Sequence, residues 1–139
     1  LLIGKDSGST LWARFASYDY SSGAYRPRLS IDWSINQAPG APTTPYSNDN
    51  TAQSGATNPG GLTDPTPAFS AIYNDPDSGD IADKYRVEVN TASDFNGTVM
   101  WDSGAGGTTM ADTTEGNRCP DIIYAGSTLV DDTQYFWRI

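Results

Sequence analysis

Short runs of alternating apolar and polar residues recur along the chain, and they predict β-strands. Apolar side chains occupy every second position over residues 29–35, 69–73 and 85–89, which is the period of a strand with one face toward solvent. Further apolar runs predict strands at residues 11–15, 99–101, 122–124 and 135–139. No long segment carries apolar residues at the spacing of a helix. The pattern therefore predicts an all-β fold of the sandwich type.

Polar segments rich in Gly and Pro divide the chain into three parts. Residues 36–45 contain three prolines, which stiffen the backbone and forbid a helix, so we interpret them as an interdomain linker. Residues 1–35 would then be the last strands of a preceding β domain, and 46–139 a sandwich domain. Within the second domain, residues 46–64 are expected to form loop or an irregular edge strand. Residues 104–121 have almost no apolar period and predict a long loop.

The charge balance narrows the range of partners. The 139 residues carry 8 basic and 17 acidic side chains, for a net charge of −9. Such a surface repels nucleic-acid phosphates and anionic lipid. No apolar run approaches the ~18 residues that cross a bilayer, so we expect neither nucleic-acid binding nor membrane insertion. The composition suits an extracellular protein that is secreted or held at the cell surface.

The residue inventory argues against catalysis. The chain has no His and a single cysteine, Cys119. It therefore cannot form a Ser-His-Asp triad or a His metal site, and it has no His to activate the thiol of Cys119. Its acidic residues concentrate in turns, where they are poorly placed for the paired carboxylates of glycoside hydrolysis. We therefore expect a chain that is not an enzyme. Cys119 is expected to be a half-buried small apolar residue, and an intermolecular disulfide is the alternative.

Two segments offer binding chemistry. In residues 74–80, the carboxylates of Asp75, Asp77 and Asp80 could converge on a calcium ion, with Gly79 permitting a tight turn; the alternative is a plain turn whose Asp side chains cap backbone N–H groups. The second segment is a turn-rich loop with tyrosines that could stack on sugar rings. Alternatively, these rings pack at the domain junction or against the missing half of the preceding domain. These candidate carbohydrate-binding residues are Tyr18, Tyr20 and Tyr25.

The end of the chain resembles a known family. The spacing of Leu129, Thr133, Tyr135, Trp137 and Ile139 is similar to that of the corner before strand F, and of strand F itself, in fibronectin type III domains. The resemblance implies a tyrosine corner, in which the Tyr135 hydroxyl folds back onto the backbone near Leu129 while Trp137 continues into the core.

The resemblance to fibronectin type III covers about residues 41–139, with strand B near 67–70 and strand C near 85–89. A domain of this family has a strand G after F, whereas the chain stops at Ile139. Either downstream sequence is missing, or a neighbouring molecule supplies the strand. We expect the isolated chain to be poorly folded or oligomeric.

The first segment has its own likeness. The runs at residues 12–15 and 26–31 resemble the end of a DNRLRE-type domain, a jelly-roll module of secreted microbial proteins. The resemblance covers about residues 1–35. It implies a surface-protein or carbohydrate-active context.

Taken together, these features predict a non-catalytic structural or adhesive segment of an extracellular modular assembly, such as a fibre, adhesin or surface layer. Calcium could stiffen it, and its partners would be other domains of the chain or neighbouring copies that pair strands. One alternative is a carbohydrate-binding accessory module of a secreted glycoside hydrolase, with glycans as partners. Another is a bacteriophage virion fibre or decoration protein.

Overall fold

The computed structural model describes Ile31 and residues 35–139, and all the elements in this part of the chain are strands. The chain divides into two units between Ile35 and Asn36, and the described strands belong to the second unit. The strands are β1 (Thr43–Asn48), β2 (Ala68–Ile72), β3 (Ile81–Tyr85), β4 (Glu88–Asn90), β5 (Val99–Asp102), β6 (Thr108–Thr114), β7 (Ile122–Ile123) and β8 (Phe136–Arg138). The predicted all-β class is confirmed, and the described residues contain no helix that could cross a membrane.

The strands form three antiparallel sheets. One has the order β1-β2-β7, the second has the order β5-β4-β8, and β3 pairs with β6. The first two sheets share one apolar core, in which Phe69 and Ile122 from the first meet Val89 and Trp137 from the second. Two sheets that face each other across such a core are a sandwich.

Aromatic side chains carry the contact between the two sheets. The Phe69 ring lies 4.9 Å from that of Trp137 and 6.2 Å from that of Trp101, measured between ring centroids. Trp101 in turn meets Tyr124 edge-on at 5.4 Å. Aromatic rings at these separations attract each other beyond the effect of the area that they bury. Phe69 therefore occupies the middle of a cluster that joins β2 to β5 and β8.

The predicted strand over 85–89 is interrupted. β3 ends at Tyr85 and β4 begins at Glu88, and between them the N–H of Val87 donates to the Ser103 hydroxyl at 2.9 Å. The carbonyl of Val87 accepts from the Ser103 N–H, also at 2.9 Å. The chain leaves one sheet and enters another here, while the apolar period continues across the break.

The predicted long loop at 104–121 is wrong, because β6 occupies Thr108–Thr114. This strand has mostly exposed Thr and Asp side chains, so it shows no apolar period. Its backbone nevertheless pairs with β3, with Ile81 opposite Thr114 and Tyr85 opposite Thr108. Because backbone pairing with β3 defines β6, the pattern of apolar residues could not predict this strand.

β1 begins inside the segment interpreted as linker. Thr43 pairs with Ile72, and the register then shifts before Tyr46. Pro45 lies within this irregularity, as expected for a residue that has no N–H to donate to a sheet. Thr44 there has a positive φ of 47°. The strand thus enters the sheet through a bulge that accommodates its proline.

β8 pairs with β4 along one side, with Glu88 opposite Arg138 and Asn90 opposite Phe136. Among the residues that the structure describes, no strand pairs with the other side of β8. The hairpin and the strands predicted in residues 1–35 lie outside the described residues, apart from Ile31 and Ile35, both of which are exposed.

Replacing Phe69, which is 3% exposed, tests the importance of the aromatic cluster. Phe69→Ala should lower the free energy of unfolding by about 3–5 kcal/mol, because it removes buried area and leaves a cavity between the sheets. Urea denaturation followed by tryptophan fluorescence measures the change. Val130→Ala, at a side chain 63% exposed, is the control and should stay within about 0.5 kcal/mol of wild type. A similar loss in both variants would contradict the central role of Phe69.

Candidate functional site

The turn between β2 and β3 brings together the three carboxylates predicted as calcium ligands. One carboxylate oxygen from each of Asp75, Asp77 and Asp80 lies within 4.8 Å of the other two. Calcium–oxygen distances are about 2.3–2.6 Å, so ligands on opposite sides of an ion are separated by about this distance. Gly79 in the same turn has φ +98°, a conformation that side chains disfavour. The spacing therefore suits a calcium ion.

The same carboxylates also hold the turn together. Asp75, which is buried, accepts hydrogen bonds from the Tyr73 hydroxyl and from the Asp77 N–H, both at 2.8 Å. Asp77 in turn accepts from the N–H of Gln37. The bond to Asp75 raises the pKa of Tyr73 to about 12, since it stabilises the protonated hydroxyl. These contacts are those of a turn capped by Asp side chains, the alternative to calcium binding.

The calcium prediction can be tested at Asp80, because Asp75 has structural partners that its replacement would disturb. If the turn binds calcium, the ion should raise Tm of the wild-type chain, since a ligand at 100 times its Kd stabilises by about 2.7 kcal/mol. Asp80→Asn should abolish that rise. Thermal melts with CaCl2, MgCl2 or no divalent ion provide the measurement.

The matched control for this experiment is Asp131→Asn, at an exposed carboxylate outside the turn. This variant should respond to calcium as wild type does. A Tm that calcium leaves unchanged in the wild-type chain would show that the three carboxylates only cap the turn.

The corner before β8 has the hydrogen bond expected of a tyrosine corner. The N–H of Val130 donates to the Tyr135 hydroxyl at 3.0 Å. Leu129, Tyr135 and Trp137 all pack against the core. The bond fixes the path by which the chain crosses from the first sheet to β8, so these residues have a structural role.

A second tyrosine has a similar role that the sequence analysis missed. The Tyr124 hydroxyl lies 2.6 Å from the carbonyl oxygen of Ser127 and 3.2 Å from that of Met100. Gly126 lies directly over this contact, where a Cβ would overlap the Met100 oxygen and the side chain of Trp101. The spacing of Tyr124 and Gly126 in the sequence could have indicated a tight turn here. Their contact with β5 could not be predicted, because β5 is remote in sequence.

Several carboxylates are engaged in hydrogen bonds that favour their charged form. Backbone N–H groups of Asp64 and Thr63 lower the pKa of Asp49, and Asn96 does the same for Asp94. The strongest case is Asp102, whose pKa falls to about 2, chiefly because Arg86 donates to it. A general acid for glycoside hydrolysis needs the opposite shift.

The pair of Arg86 and Asp102 makes stability depend on acidity. Arg86 donates from Nε and Nη2 to the two carboxylate oxygens, at 3.0 and 2.7 Å. Because the pKa of Asp102 in the folded chain is lower than 3.8, the stabilisation is fully present above that pH and is lost as the pH falls toward 2. Asp102→Asn should therefore show a smaller decrease in urea midpoint between neutral pH and about pH 2 than wild type.

Asp131→Asn is the control for the acid titration, since its exposed side chain has no hydrogen bond within the described part of the chain. It should keep the wild-type pH dependence. Equal pH dependence in Asp102→Asn and wild type would contradict the assignment.

Two further predicted features have different outcomes. Cys119 is buried, and burial raises the pKa of its thiol, which makes it a poor nucleophile. Tyr18, Tyr20 and Tyr25 lie outside the residues that the structure describes, so sugar binding there stays a prediction. Calcium binding likewise stays a prediction.

The fold and its corner define an immunoglobulin-like β-sandwich. The model of a family described as Rha78A-like, N-terminal immunoglobulin domain matches residues 49–139, about two-thirds of the chain, and the chain belongs to this family. No curated protein and no solved structure matches it. The family is associated with glycoside hydrolases, and its domains are typically non-catalytic accessory modules.

The immunoglobulin-like fold class is thus confirmed. The finer likeness to fibronectin type III, and the likeness of residues 1–35 to a DNRLRE-type domain, stay predictions because the family match begins at residue 49 and names neither.

Proposed function

We propose that this chain is a non-catalytic architectural module of an extracellular, glycoside-hydrolase-associated protein, and that it holds neighbouring domains at a fixed spacing. The family match over residues 49–139 carries the proposal. Its partners are other domains of the same protein or neighbouring copies that pair strands.

The attachment of the Pro-rich segment supports this role. Gly40 donates its N–H to the carbonyl of Asn74 at 2.9 Å, and the Asn74 side-chain amide donates to the carbonyl of Ala41 at 3.0 Å. Gln37 donates to Asp77 in the same turn. The segment that enters the domain is therefore bonded to the turn between β2 and β3, which limits bending where the chain enters.

The use of the acidic groups also supports a non-catalytic role. Asp49, Asp94 and Asp102 have lowered pKa values because they accept structural hydrogen bonds. Carboxylates held in this way stay ionised at neutral pH and fix turns. Glycoside hydrolysis would need a protonated partner with a raised pKa.

Carbohydrate binding is the second candidate function, favoured by the association of the family with glycoside hydrolases. The tyrosines at 18, 20 and 25 would supply the stacking surface. The association supports an accessory module over a bacteriophage fibre or decoration protein. If these tyrosines bind sugar, replacing them with alanine should weaken glycan binding. If their role is structural, the same replacements should leave any glycan binding unchanged.

The architectural proposal predicts that the contacts of Asn74 restrain residues 36–42. Asn74→Ala should increase hydrogen exchange of this segment about tenfold, because it removes the side-chain bonds to Ala41 and Thr43 at 3.0 and 3.1 Å. Exchange followed by mass spectrometry measures the effect. Asn96→Ala is the matched control, since within the described part of the chain the Asn96 side chain bonds in its own turn, to Asp94.

Two results would overturn the proposal. Exchange of residues 36–42 at the rate of an unstructured peptide in the wild-type chain would exclude a restrained entry segment. Turnover of aryl glycosides by the purified chain, abolished by a single Asp→Asn variant, would exclude a non-catalytic module.

A further inference from the structure

An open groove of about 480 Å³, with mixed polar and apolar walls, lies between the end of β6 and the segment that leads into β7. Its volume is within the range of small-molecule sites, about 300–1,000 Å³. The side chains that matter for binding are those of Gln53, Asp112, Asn117, Arg118 and Pro120, which line it. None of the five belongs to the apolar core of the described residues or to the turn between β2 and β3.

Contacts with uncharged groups hold Arg118 in place. Its guanidinium carbon lies 4.1 Å from the centroid of the Tyr46 ring, and Nη1 donates to the Ser70 hydroxyl at 2.8 Å. Within the described part of the chain, neither ion pair involves Arg118. Stacking and one neutral hydrogen bond thus orient the planar group and leave its remaining N–H donors for a ligand.

The two amide side chains of the groove have their orientation fixed. Gln53 donates both hydrogens of its amide, to the carbonyl of Cys119 and to Asp121, each at 3.0 Å. The Asn117 amide donates to the Thr114 hydroxyl at 2.7 Å. With their N–H groups engaged inside the protein, both side chains keep a carbonyl oxygen as an acceptor. The groove therefore combines oriented donors with oriented acceptors.

We infer that this groove binds one neutral sugar residue of a glycan. A sugar hydroxyl both donates and accepts hydrogen bonds, so it can accept from Arg118 and donate to the oxygens of Gln53 and Asn117. Asp112 is exposed on β6 and supplies a charged acceptor, which strengthens such bonds, while the Pro120 ring offers an apolar face. Asp112 and the net charge of −9 disfavour acidic sugars.

This inference goes beyond the architectural role and does not depend on the tyrosines at 18, 20 and 25. The probes are methyl glycosides of neutral hexoses, deoxyhexoses and pentoses, titrated into the isotope-labelled chain and followed by NMR. At least one probe should shift the side-chain amide signals of Gln53 and Asn117. Asp112→Asn should weaken that binding about tenfold, which is the usual scale for a hydrogen bond to a charged group.

Asp83→Asn is the matched control, because Asp83 is an equally exposed carboxylate on β3, the partner strand of β6, and does not line the groove. It should bind as wild type does. Arg118→Lys keeps the positive charge but loses the planar fork, so it should also weaken binding. Equal Tm values would exclude misfolding as the cause.

Three outcomes would overturn the inference. The first is that no probe shifts these amides at concentrations up to tens of millimolar. The second is a shift with acidic sugars or inorganic anions alone, which would define an anion site. The third is equal weakening of binding by Asp112→Asn and Asp83→Asn, which would place the sugar elsewhere. None of these results bears on whether the chain is catalytic, since glycoside turnover tests that separately.

Discussion

The packing of Phe69 against two tryptophans is the contact on which the rest of the domain depends. Phe69 belongs to β2, whereas Trp101 and Trp137 belong to β5 and β8, so this cluster joins the two sheets of the sandwich. Its position decides where polar chemistry can occur. The interior is mainly apolar but includes polar side chains such as Ser70 and Asn90, and every buried side-chain nitrogen or oxygen among the described residues has a hydrogen-bond partner. Binding is therefore left to the turns and strand edges around the core.

Polar side chains at those edges stabilise the fold by hydrogen bonds to the backbone of turns and loops. A domain with short strands and long connections loses much conformational entropy when it folds, and local hydrogen bonds help to offset that loss. Asp49 holds the backbone of Thr63 and Asp64, and Asn74 holds the entry segment. The acidic composition that suits calcium or an extracellular location is, in these turns, largely used to satisfy backbone N–H groups.

The alternation of apolar and polar residues predicted the strands whose side chains face the core. It did not predict a strand that is defined by backbone pairing with its neighbour. β2 was predictable because its side chains enter the interior. β6 was not, since it is made mainly of Thr, Ala and Asp with no apolar alternation, and its pairing with β3 defines it. A calcium site in the turn between β2 and β3 could be proposed because Asp75, Asp77 and Asp80 are close in sequence. The groove beside β6 could not, because its guanidinium is oriented by Ser70, which is 48 residues away.

The two polar sites differ in how many of their groups remain available to a ligand. In the turn between β2 and β3, both oxygens of Asp75 accept hydrogen bonds from protein donors, so an ion would have to share groups that the fold already uses. In the groove, protein contacts engage the amide N–H groups of Gln53 and leave its carbonyl oxygen for a ligand. Preorganised groups with spare hydrogen-bonding capacity bind at a lower entropic cost. By this criterion the groove is better prepared than the turn for a ligand, although only the turn was apparent in the sequence.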